Sequence, residues 1–122
     1  MTKKILVADD EPNIVTALEF LLQSNGFEVQ VARNGDEALD LIESGQPDLV
    51  LLDVMMPLKS GYEVCKRIRE RPDWSHIKVV MLSAKGRDAE VARGLDAGAD
   101  LYITKPFSTR DLLSKIKQLL GT

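Results

Sequence analysis

The sequence has a single cysteine, Cys65, and a single histidine, His76, among 122 residues. One thiol forms no internal disulfide, and such cysteine usage suits a reducing cytosol. Apolar runs are short. None approaches the roughly 20 residues that span a bilayer. Lys3 and Lys4 precede an apolar run that meets Asp9 too soon for a secretory signal. Excess charge is also missing. A formal net charge of -3 gives no general attraction to nucleic acid or to anionic membrane, so a DNA-directed role would lie in a partner or another domain. No linker, repeat or low-complexity segment divides the chain. These absences leave one cytoplasmic domain over residues 1–122, large enough to bury a core without disulfide or metal.

The chain does contain an alternation of short apolar runs and helical periodicities. Strands are expected at Lys4–Ala8, Glu28–Ala32, Leu49–Asp53, 77–82 and Leu101–Thr104. Pro12 starts the first helix, which carries Ile14, Leu18, Leu21 and Leu22 on its apolar face, and Asn25-Gly26 closes it. Asn34 and Glu37 have capping-box spacing ahead of Ala38, Leu39 and Ile42. Ser44 to Pro47 breaks that second helix. A loop at 57–61 leads to a third helix with Val64 and Ile68 inward, stopped by Arg71-Pro72. A fourth helix is expected over about 87–97, with Val91 and Leu95, and Gly98 after it. Ser108 and Asp111 again have capping-box spacing, before Leu112, Leu113, Ile116, Leu119 and Leu120 at helical intervals. Five strands alternating with five helices imply an α/β fold: a parallel sheet covered on both faces. Right-handed crossovers then gather every strand-to-helix loop at one edge.

That edge is chemically loaded. Asp9 and Asp10 follow the first strand, Asp53 ends the third, Ser83 ends the fourth, and Lys105 follows the fifth. Taken singly, each has an ordinary reading. Asp9 and Asp10 suit a helix cap, Asp53 a strand-ending turn, Ser83 a cap or turn, and Lys105 a solvated lysine. One explanation covers all five. Crowded carboxylates repel, which raises at least one pKa and couples their titration. A hard divalent cation removes that conflict, and Mg2+ needs only one or two carboxylates beside a phosphate. A carboxylate such as Asp53 can be a nucleophile toward phosphorus, with the cation and Lys105 neutralising the phosphoryl oxygens and Ser83 donating a hydrogen bond.

With these residues in view, the chain resembles the receiver domain of two-component response regulators. The resemblance covers essentially its whole length. It rests on Asp9-Asp10, on Leu52-Asp53-Val54-Met55-Met56-Pro57, on Gly61, on Ser83-Ala84 and on Lys105-Pro106-Phe107. It implies a flavodoxin-like, doubly wound sheet of order 2-1-3-4-5. Asp53 is implied as phosphoacceptor in a Mg2+-dependent phosphorelay. Asp10, Asp53 and the Met55 backbone carbonyl are implied as metal ligands, with Asp9 acting through water. Ser83 and Lys105 would bind the phosphoryl group, and the Lys105–Pro106 peptide would be cis. Tyr102 stands at the family's aromatic switch position and would move together with Ser83; its other reading is an ordinary edge-strand tyrosine. The implied donor is a phosphohistidine on a sensor histidine kinase or phosphotransfer protein. Because Asp53 is itself the substrate, this is not a turnover enzyme.

The run from Gly98 to Ser108, with Arg110 to Leu113, is similar to receivers joined to winged-helix DNA-binding domains. Those pair as homodimers through the fourth helix, fifth strand and fifth helix, where this chain offers Arg87, Arg93, Asp96, Asp100, Arg110 and Lys117. A solvated charged face is the other reading, and Leu101 replaces an acid common at that place. Met55 and Lys85, two residues after Asp53 and Ser83, are poor at orienting a hydrolytic water, so slow self-dephosphorylation is expected. Ser60 stands where many members have an acid, with no mechanism attached. His76 reads as a loop residue, Trp74 as partial core cover, and Cys65, lacking an adjacent base, as packing. The competing functions are a phosphorylation-independent interaction module and an aspartyl phosphohydrolase. The hydrolase is disfavoured because no second acid lies two residues past Asp53. A flavin carrier lacks its phosphate loop after the first strand. The chain is either a complete regulator or one domain of a longer one.

Overall fold

The computed structural model describes residues 2–83 and 97–121. The strands are β1 (Lys4–Ala8), β2 (Glu28–Ala32), β3 (Leu49–Asp53), β4 (Lys78–Ser83) and β5 (Leu101–Thr104). They form one parallel sheet in the order β2-β1-β3-β4-β5. Four α-helices are described: α1 (Pro12–Ser24), α2 (Gly35–Gly45), α3 (Gly61–Arg69) and α4 (Thr109–Leu120). The further helix expected over about 87–97 lies, apart from Ala97, outside the described residues, and with it Val91 and Leu95.

Apolar alternation is lost where a strand is covered on both faces. Every residue of β3 is buried, including Asp53 at its end. One sheet face packs Leu6, Val50 and Met81 against Ile42 of α2 and Val64 and Ile68 of α3. The other packs Ile5, Leu49 and Val80 against Leu18 and Leu22 of α1 and Ile116 of α4. Val15 is a buried α1 residue that the apolar pattern did not single out, while Ile14 and Leu21 are only half-buried. Trp74 is more than partial cover. It ends a short 3-10 turn, Pro72–Trp74, with only 3% of its surface exposed and the Arg71 guanidinium 3.9 Å from its ring centre. Cys65 is buried, and its thiol donates to the Ala97 carbonyl at 3.4 Å. Burial pushes that thiol's pKa up to about 11, so it packs rather than reacts.

The caps follow the sequence. Asn34 accepts from the Glu37 N–H, and Ser108 from the Asp111 N–H. Ser60, which carried no mechanism in the sequence, caps α3 by accepting from the Glu63 N–H. Strand order reverses between β1 and its two neighbours, and the crevice beyond the carboxyl ends of β1 and β3 is where such sheets bind ligands.

Candidate functional site

The sheet register brings the polar strand ends to one crevice. Ala8 of β1 sits beside Leu52 of β3, so Asp9 and Asp53 emerge side by side. Asp53 pairs with Leu82, and Ser83 with Thr104, so Ser83 and Lys105 arrive from the other flank. Asp9, Asp53 and Ser83 are the buried polar residues among those described. One carboxylate oxygen each from Asp9, Asp10 and Asp53 lies within 4.8 Å of the other two. Across them reaches Lys105, whose Nζ is 3.0 Å from Asp9 Oδ2, 3.0 Å from Glu11 Oε1 and 3.5 Å from Asp53 Oδ1. Its backbone N–H donates to the Ser83 carbonyl at 2.5 Å, and the Lys105–Pro106 peptide is cis.

Three acids facing one ammonium leave excess negative charge in a confined place. Burial, and then the nearby Asp9 carboxylate, push the Asp53 pKa up from 3.8 to about 6; Lys105 and the Met55 N–H work in the other direction. Burial acts against the Lys105 ammonium as well. Its hydrogen bonds to Asp9 and Glu11, and the charges of Asp53 and Asp9, outweigh that and hold its pKa above the ordinary lysine value. An all-oxygen donor set with surplus negative charge fits a hard divalent cation of the Mg2+ kind.

Behind Asp53 the chain turns under close restraint. Val54 N–H donates to Leu82 O, and Gly61 N–H donates to Val54 O. The Met55 N–H reaches Asp53 Oδ1 at 3.4 Å. A Cβ on Gly61 would lie 2.5 Å from the Asp53 carbonyl oxygen, so only glycine lets α3 start this close to the site. Leu58 takes a left-handed φ of 71°. The loop is fastened to the start of α2, where Gly35 N–H donates to Pro57 O and Lys59 pairs with the Asp36 carboxylate. Met55 is 79% exposed at the mouth.

Of the predicted set, Asp9, Asp10, Asp53, Ser83 and Lys105 therefore come to one crevice. Lys85 lies outside the described residues. Tyr102 sits on β5 beside Met81, its ring packed against the α3-side core, and its buried hydroxyl has no hydrogen-bond partner among the described residues. Sequence reasoning missed Glu11. No local pattern announces that it meets Lys105, 94 positions away. That reasoning offered Asp100 to a charged pairing face without foreseeing its contacts within the chain: that carboxylate accepts from Arg69 Nη2 and from the Val79 N–H, both at 2.8 Å. Arg87, Arg93 and Asp96 lie outside the described residues. No helix among the described residues is long and apolar enough to cross a membrane.

Comparison with known proteins gives one consistent answer. The family model described as response regulator receiver domain matches residues 5–117. A response regulator from Chloroflexus aurantiacus J-10-fl is 34% identical, with full coverage of both chains and a TM-score of 0.94. The BeF3-activated DrrB receiver domain is 36% identical, again with full coverage, and has a TM-score of 0.91. The receiver domain of the sensor histidine kinase PA1611 from Pseudomonas aeruginosa PAO1 is 26% identical over the full length of both chains, with a TM-score of 0.91. In that structure a magnesium ion is coordinated in the active-site cleft.

Proposed function

Because this chain belongs to the response regulator receiver family of two-component signalling, we propose that Asp53 is its phosphoacceptor and that a phosphohistidine on a sensor histidine kinase or phosphotransfer protein is the donor. The observation that carries this reading is the buried Asp53 carboxylate held between two further acids and the Lys105 ammonium. Asp53 attacks the phosphorus. A P–O bond forms as the P–N bond to the donor imidazole breaks, and the electron pair leaves on that nitrogen, which takes a proton from water. A pKa of about 6 leaves Asp53 mainly ionised at neutral pH, as a nucleophile must be. Burial keeps it poorly hydrated and so reactive.

Asp10, Asp53 and the Met55 backbone carbonyl are the residues that would hold Mg2+, with Asp9 acting through water; the ion supplies positive charge against the phosphoryl oxygens. A relative that holds a magnesium ion in its active-site cleft supports a Mg2+ site in this crevice. Lys105 carries the other positive charge. A phosphoryl group adds roughly -1.5 to -2 charges at the end of β3. That charge draws Lys105 and Ser83 inward, and the Tyr102 ring follows into the vacated space. The Tyr102 hydroxyl, buried with no hydrogen-bond partner among the described residues, supports the switch, because leaving it unpaired costs free energy that a second ring position can recover. The face around β5 and α4, with Arg110 and Lys117, then serves a partner, an output domain or a second copy. The protein works in the cytoplasm, and Asp53 is consumed and restored rather than turned over.

The test is the intact mass after incubation with acetyl phosphate and Mg2+. Wild type is expected to gain one phosphate and Asp53→Ala none. Once donor is removed the acyl phosphate should persist for minutes or longer, since apolar Met55 at the mouth orients no water. Uptake by the alanine variant would refute the acceptor assignment, and a wild type that takes no phosphate would favour a phosphorylation-independent interaction module. Decay within seconds would refute the slow hydrolysis.

A further inference from the structure

Lys105 has an acidic partner that phosphoryl transfer does not require. Glu11 Oε1 lies 3.0 Å from its Nζ, as close as the buried Asp9 and closer than Asp53 at 3.5 Å. Glu11 has no other side-chain hydrogen-bond partner among the described residues. It is the N-cap of α1, but it caps through its backbone: its carbonyl accepts from the Val15 N–H at 3.1 Å, and its side chain makes no cap hydrogen bond. Its own N–H is held by Asp9 Oδ1 at 2.9 Å, which fixes the backbone from which the side chain reaches across the mouth. The Glu11 side chain is 57% exposed, so it can swing away when Lys105 leaves it.

Resting on the reading of Asp53 as phosphoacceptor, we infer that Glu11 is a positioning residue. It holds the Lys105 ammonium at the mouth of the unphosphorylated site and competes with the phosphoryl group for it. Asp9 is buried and stays with Lys105 in either state as a fixed anchor. Glu11 is the partner that must be surrendered before the ammonium moves the last distance toward Asp53. Its contact therefore stabilises the resting protein relative to the phosphorylated one and sets how readily Asp53 takes a phosphoryl group.

Glu11→Gln keeps the backbone cap and the side-chain length but removes the charge. At one fixed Mg2+ level, its rate of phosphorylation by acetyl phosphate should rise about threefold, the scale of a single exposed ion pair. Its affinity for beryllofluoride should rise in step. The gain should be the same with phosphoramidate, which carries less negative charge than acetyl phosphate at neutral pH, because the contact released is with Lys105 and not with the donor. It should vanish in a Lys105→Met background. A gain that shrinks with the less charged donor, or one that survives without Lys105, would mean repulsion of the anionic donor and overturn the inference. So would a Glu11→Gln protein that is no faster than wild type. The comparison of the two donors decides alone if Lys105→Met takes phosphate too slowly to time. A wild type that never takes phosphate on Asp53 fails the acceptor reading itself, a different and separable result.

Discussion

At the scale of single residues, the site is a place where function opposes stability. Asp53 sits at the end of a fully buried strand, where an ionised carboxylate loses most of its hydration. Its pKa is raised from 3.8 to about 6, by burial first and by Asp9 second. An acid with a raised folded pKa keeps its proton in the native state after the unfolded chain has lost it. Between about pH 4 and pH 6 the native state binds more protons, so stability falls as pH rises through that window, and above it the whole penalty remains. A shift of about two units corresponds to at most about 3 kcal/mol. Metal-free Asp53→Asn should therefore be about 1–3 kcal/mol more stable than wild type at about pH 7, the difference closing below about pH 4. Urea unfolding across that range checks it. An asparagine variant less stable at neutral pH would show that the Lys105 contact outweighs the burial of charge. The identity of Asp53 was legible in the sequence, because four apolar residues in a row lead straight into it. The burial and the Asp9 charge that raise its pKa were not, because they come from strands distant along the chain.

At the scale of elements, the segment joining β3 to α3 carries the strictest backbone requirement. Gly61 begins α3 with its Cα facing the Asp53 carbonyl, leaving no room for a methyl group. Gly61→Ala should destabilise the protein by about 1–3 kcal/mol through overpacking against backbone, which cannot rotate away as a side chain would. Its rate of phosphate uptake should also fall, because relief of the clash moves the residue that carries the nucleophile. Thermal unfolding and the intact-mass assay read the two effects. A variant unchanged in both would mean that α3 can slide outward freely. The sequence marked Gly61 as a motif position and gave no reason for it. Ser60 likewise acquired its role as cap of α3 only once α3 had a defined first turn. By contrast, the Asn34/Glu37 and Ser108/Asp111 boxes were readable in advance, because a cap and its target are three residues apart and need no tertiary partner.

At the scale of the whole molecule, Arg69 ties the last two strands to α3. Its guanidinium donates to the Gly98 carbonyl, the Ile77 carbonyl and the Asp100 carboxylate, while Asp100 also accepts from Val79 N–H. One side chain thus spans the residues just before β4 and β5 from the far end of α3. Arg69→Ala should cost about 2–4 kcal/mol, since it leaves two carbonyls without their side-chain donor and a half-buried carboxylate without its counter-charge. Asp100→Asn, which keeps an acceptor for Val79 N–H, should cost less. Urea titration orders the two, and the reverse order would mean that the salt bridge rather than the carbonyl contacts dominates. Arg69 drew no notice as one basic residue in a charged helix end, and Asp100 was read only as one charge on a pairing face. By itself the sequence determined the alternation of strands and helices, two of the caps, and which side chains stand at the carboxyl ends of the strands. These follow from periodicity and from neighbours within a few residues. Only the tertiary structure decided the distances among those side chains, the hold of Glu11 on Lys105, the constraint on Gly61 and the engagement of Asp100. Each is a contact between segments far apart in the chain, and a linear pattern carries no measure of the space between them.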